Sequence, residues 1–129
     1  MSVAQSGAYK QALTATTTTS AGAVLSIANP EGVALIITNF VVDVTTDATG
    51  TVNDADFGVA AGATTTSDNL IDGCNLGSGT ITSASNDSAQ AGTNGRACQK
   101  WAADAFVTGN AKASTAGLVG NVYIEYIRA

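Results

Sequence analysis

At 129 residues the chain is long enough for one domain with one core and short for two. Hydrophobic residues make up 45%, which excludes a disordered chain, but alanine supplies much of that share. The core is therefore expected to be thin and completed by a partner subunit or a larger assembly. The net charge of −5 leaves five cations, Lys10, Arg96, Lys100, Lys112 and Arg128, with no basic stripe among them. That argues against nucleic acid and anionic lipid as partners.

Taken in order, the amino terminus MSVAQSGAYKQALTATTTT has no positively charged region leading into an apolar run. It is not read as a signal peptide, and synthesis in the cytoplasm without export is expected. No window approaches roughly eighteen apolar residues, so no membrane span is predicted. Residues 1–22 are polar and Thr-rich. They are expected to form an arm, either flexible or docking on a neighbour as an edge strand around 10–18. A single domain then covers 23–129.

Val24, Leu25 and Ile27 mark a short strand, and Asn29-Pro30-Glu31-Gly32 is a turn signal. Residues 33–46, VALIITNFVVDVTT, are the most apolar stretch and are expected to be the central strand. Up to Ile37 both parities are apolar, as for a strand covered on both faces. Beyond it Phe40, Val42 and Val44 alternate with Asn39, Asp43 and Thr45, as for a half-buried one. Residues 47–50 close that strand. In 52–61, Ala55, Phe57, Val59 and Ala61 are expected on one face and Asp54 and Asp56 on the other. Further strands are expected at 69–76, bent at Gly73, and at 79–84, 96–102, 104–112 and 119–128. Residues 86–95 read as the longest structureless segment, on the surface. About eight strands with a turn signal roughly every ten residues predict an all-β antiparallel sandwich. A jelly roll is the first choice and an immunoglobulin-like sandwich the second.

Chemistry is scarce. The chain has no histidine, which removes the usual general base and the usual zinc ligand. Two cysteines cannot make a four-thiolate metal site within one chain. No phosphate-cradling loop and no nucleophile-elbow motif occurs. No enzyme, cofactor or metal is expected on these grounds. Asp54 and Asp56 are the candidate carboxylate pair for glycoside cleavage, but a solvated strand face explains them better. Asn53, Asp54 and Asp56 lack the spacing of a calcium loop.

Cys74 and Cys98 are either inert reduced thiols or partners in a disulfide, within one chain or between subunits. Within one chain the bond would stabilise by roughly 3 kcal/mol. Trp101, the single tryptophan, is the candidate interface or binding aromatic, such as a sugar-stacking platform. The core is its commoner place.

The segments NPEGVALIITNFVVDVTTDATGTVNDADFGVA, TTSDNLIDG and WAADAFVTGNAKASTAGLVGNVYIEY resemble small jelly-roll capsid decoration (cement) proteins of tailed bacteriophages. Relatives of those serve as spike or head-fibre domains. The resemblance spans about residues 28–127 and rests on turns and strands, so it speaks first to fold. It implies a virion protein that binds the outside of the head. It also implies a homotrimer at three-fold positions that clamps the major capsid protein. The residues are compatible with two other classes. A head-fibre or receptor-binding module would present Trp101, Tyr123 or the 86–95 loop to a carbohydrate. A glycosidase would use Asp54 and Asp56.

Overall fold

The computed structural model describes residues 4–16, 21–49, 54–77, 83–87 and 91–129. Predicted features at Thr17, Gly50, Asn53 and 79–82, and the middle of the 86–95 segment, lie outside the described residues. Nine strands form, with no α-helix among the described residues. They are β1 (Ser6–Ala12), β2 (Gly22–Ala28), β3 (Leu35–Thr46), β4 (Ala55–Ala60) and β5 (Ile71–Cys74), then β6 (Ser83–Ser85), β7 (Gln99–Trp101), β8 (Phe106–Ala111) and β9 (Val119–Arg128). All pair antiparallel into two sheets. The five-stranded sheet runs β1-β9-β3, with β6 and β7 sharing the far side of β3. The four-stranded sheet runs β2-β8-β4-β5. Counting β6 and β7 as one interrupted strand leaves eight positions. The successive pairs β1/β2, β3/β4 and β8/β9 each split between the sheets. This is jelly-roll order, whereas an immunoglobulin-like sandwich keeps its first two strands in one sheet.

Strict alternation explains why the sheets close face to face. Phe40, Val42 and Val44 of β3 and Val122, Ile124 and Tyr126 of β9 point inward. They meet Leu25, Ile27, Phe57 and Val107 of the opposite sheet. The rings of Phe40 and Phe57 bridge the layers with centroids 5.6 Å apart at 45°. Phe57 fits because its neighbour is Gly109, where a Cβ would stand 2.5 Å from the ring. Large aliphatic and aromatic side chains dominate this core, so it is better filled than the alanine content implies.

Two expectations change. The amino-terminal stretch is not a separate arm between residues 6 and 12. All seven residues of β1 pair in register with β9 of the same chain. Nor is the start of the central strand covered on both faces. Leu35 and Ile37 are fully buried, but Ile36 is only half-buried and Val33 is exposed.

Candidate interaction surface

The outer faces of the two sheets are finished differently. On the four-stranded sheet, residues Ser26, Thr108 and Gly58 align in one row across β2, β8 and β4. The β4–β5 connection runs over that row. The Ser26 hydroxyl donates to the Ala63 carbonyl at 2.8 Å, and the Thr108 hydroxyl to the Thr65 carbonyl at 2.8 Å. Asn69 accepts from the Val59 N–H and returns a bond to the Val59 carbonyl, acting as an extra rung on β4. The small side chains of this row are the condition for so close a cover.

The five-stranded sheet has no such cover among the described residues. Its outer rows read Ser6–Ile127–Ile36, Ala8–Glu125–Asn39, Lys10–Tyr123–Val41 and Ala12–Asn121–Asp43. Tyr123 is 39% exposed and Val119, at the start of β9, is 54% exposed. Ile36, Val41 and Ile127 are half-buried beside them. Lys10 places its ammonium 5.5 Å from the centre of the Tyr123 ring, a cation–π contact at the solvent boundary. The result is two apolar rows across β9 and β3, Ile127–Ile36 and Tyr123–Val41, separated by Glu125 and Asn39 and bordered by Lys10 and Asp43. A shallow depression of about 420 Å³ opens beside Ile127, among Gly7, Thr38, Glu125 and Tyr126.

Its lower corner is tied by charge. Glu31, in the β2–β3 turn, accepts from the Arg128 guanidinium and from the Tyr126 hydroxyl, the latter at 3.1 Å. The Arg128 hydrogen bond holds the Glu31 carboxyl below the usual carboxylate range. Burial, and then the Glu31 hydrogen bond, push the Tyr126 hydroxyl up. The turn itself is built by Asn29, whose side-chain oxygen accepts from the Glu31 and Gly32 N–H groups. Its amide donates to the carbonyls of Val33, Trp101 and Ala102.

The expected site residues are dispersed. Trp101 is fully buried, with its indole N–H donating 3.0 Å to the Ala105 carbonyl. It offers no face to a partner or a sugar, so the binding-aromatic reading is corrected to a core residue. The reason is β7, which seats Trp101 opposite Leu35 on the inward side of β3. Cys74 and Cys98 are both free thiols. Cys74 is buried at the end of β5, where desolvation pushes its pKa up to about 12, and Cys98 is exposed just before β7. Asp54 and Asp56 do stand together, and Lys112 lies between them at 2.9 and 3.2 Å. The ammonium is the shared partner of both carboxylates, and Asp56 also accepts from the Gly73 N–H. The single ammonium offsets one of the two negative charges and holds the two carboxylates together as an ion-paired cluster. No group of three or more metal-ligating side chains gathers among the described residues.

The residues that sequence reasoning missed are asparagines. Asn86 is buried, accepts from the Phe40 N–H at 2.8 Å and donates to the Arg96 and Ala97 carbonyls. It thereby continues the β3 ladder where β6 stops and anchors the chain where it returns towards β7. From there residues 91–96 fold onto β5. Asn94 donates to Asp72 and Asp68, and the Arg96 N–H to the Asn69 carbonyl. The segment expected to be a plain surface loop thus has a buried root and caps a sheet edge. Read from composition, its Asn and Gly content signalled only a turn.

No family model matches the sequence, and no curated protein matches it. Among solved structures the chain is similar to a chain titled "Cyanophage Pam1 capsid asymmetric unit". The identity is 18% and the TM-score 0.52, over 98% of this chain and 85% of that one. At that identity the likeness concerns the fold, and it extends over nearly the whole chain.

Proposed function

We propose that the protein is a structural component of a phage virion, a decoration or cement protein bound to the outside of the head. The observation that carries this reading is the near-complete fold match to a chain of a cyanophage capsid. The jelly-roll order and the sequence resemblance point the same way. In this reading the open outer face of the five-stranded sheet lies against the major capsid protein. Val119, Tyr123, Ile36 and Ile127 supply apolar contact, and Lys10, Glu125 and Asp43 supply polar contacts between and beside them. Cement proteins stabilise a shell by burying surface that two capsid subunits share, so the gain is lost when either contact fails. The homotrimer implied by the resemblance belongs to the same proposal, as does a Cys98 bond to a neighbouring subunit. The core position of Trp101 removes one of the aromatic platforms that a carbohydrate-binding spike would use, and leaves Tyr123 as the exposed one.

The test is the copy number in purified particles, measured against the major capsid protein by quantitative mass spectrometry. Hundreds of copies in a simple ratio to the capsid subunits are expected. A handful would transfer the protein to a spike or fibre, and none would end the virion reading. Shells lacking the protein are expected to break at a lower temperature than complete ones.

A further inference from the structure

The four sheet edges of the sandwich are not equally guarded. Strands β6 and β7 have three residues each and are split at Asn86. Strand β5 has four residues, a left-handed Gly73 at φ 89°, and residues 91–96 packed on it. Strand β2 is broken by a bulge between Ala23 and Leu25. Short, bulged or covered edges are how proteins prevent strand addition. Strand β1 is neither short nor bulged nor covered by the described residues, and its one guard is the charge of Lys10. It has seven residues, no proline, and an unbroken register with β9 on its other side.

The direction of its backbone groups follows from two bonds. The Leu13 N–H donates to the Gly120 carbonyl and the Arg128 N–H to the Gln5 carbonyl. Both are directly opposed pairs in the β1–β9 register, so the odd residues Gly7, Tyr9 and Gln11 bond to β9. The even residues Ser6, Ala8, Lys10 and Ala12 turn their N–H and C=O groups to the open side. There no strand among the described residues meets them.

We infer that β1 is the contact through which two copies of this chain join, edge to edge and antiparallel about a two-fold axis. The sequence of β1 is self-complementary in one register. Ala8 of each copy stands opposite Lys10 of the other, and Ser6 opposite Ala12, as hydrogen-bonded pairs. The two Tyr9 residues meet across the axis as the closer, non-hydrogen-bonded pair. No like charges are directly opposed: each Lys10 faces the small Ala8, and the two Lys10 residues stand on the diagonal. A two-fold perpendicular to the sheet also keeps both outer faces on the same side, making one broad surface of the two. The contact has two-fold symmetry and is distinct from the three-fold contact of the proposed homotrimer. It does not depend on the capsid reading.

The test is sedimentation of the full chain over a concentration series, with three substitutions at Ala8, which is exposed on the outer face. Ala8→Pro removes an N–H that points to the open edge and spares the β9 ladder. It is expected to weaken the dimer about tenfold or more while the melting temperature stays near that of the parent. Ala8→Glu, opposite Lys10 of the other copy, is expected to tighten the dimer, and Ala8→Lys to loosen it. This pair of opposite signs reports the register even where the proline variant folds poorly. A wild-type chain that is monomeric throughout the series overturns the inference. So does a trimer indifferent to all three substitutions.

Discussion

The two long sides of the sandwich solve the same problem in opposite ways. On the β5/β6/β7 side, a buried asparagine splits an edge strand and the returning chain is laid across the neighbouring sheet's edge. Gly92 makes this possible. It takes φ 72° and sits so close to the Asp72 carbonyl that a side chain would collide with it. On the β1 side a regular strand ends the sheet with nothing across it among the described residues. A chain able to seal one side so thoroughly shows what sealing the other would look like. The outer faces repeat the contrast, with the β4–β5 connection tied over Ser26 and Thr108 on one sheet and two apolar rows open on the other.

The comparison can be broken from the closed side first. Trp101→Ala is expected to cost about 3 to 5 kcal/mol in denaturant unfolding, because it empties a fully buried site under β7. A loss below about 1 kcal/mol would place the indole outside the core. Thiol chemistry sharpens the contrast next. At pH 8 an alkylating reagent is expected to modify exposed Cys98 and to leave Cys74 more than about a hundredfold slower. Equal rates in the native protein would mean that β5 opens freely. Asn86→Ala is expected to cost about 1 to 3 kcal/mol by orphaning the Phe40 N–H, and to speed hydrogen exchange at Phe40. An unchanged Phe40 amide would show that the cap is dispensable.

The smallest effect lies at the Glu31 corner. Its folded-state carboxyl is held below the usual carboxylate range, chiefly by the Arg128 hydrogen bond. The unfolded chain therefore takes up a proton first as pH falls. The stabilisation is present above the ordinary value near 4.5 and is lost as pH drops through the lowered one. Glu31→Gln is expected to lower stability slightly at neutral pH and to flatten the acid limb of a melting-temperature profile. A limb of unchanged slope would assign the acid sensitivity to other carboxylates.

Much of the strand pattern was legible in the sequence. Alternation along 39–45 and 122–126 announced which side chains face inward, and Asn29-Pro30-Glu31-Gly32 announced its turn. The Asp54/Asp56 pair reads in sequence as a solvated strand face; in the fold Asp54 is half-exposed just before β4, whereas the Asp56 side chain is only 14% exposed and both are held by Lys112. Asn69 and Asn86 were not legible as structural residues. An asparagine that replaces a backbone rung looks, in sequence, like any asparagine in a loop. The same limit applies to β1, whose polar, Thr-flanked composition resembles an arm because its pairing partner lies at the other end of the chain.

Taken alone, then, the sequence determines what is local: a two-residue period, the turn residues, the lack of histidine, and hence an all-β sandwich without the usual acid–base chemistry. The tertiary structure decides what depends on distant partners. It assigns each strand to its sheet, buries Trp101 and Cys74, leaves Cys98 outside, and covers one outer face and not the other. The physical reason is that alternation states which way a side chain points relative to its own strand. Which surface it meets there is settled only when strands far apart in the chain close on one another.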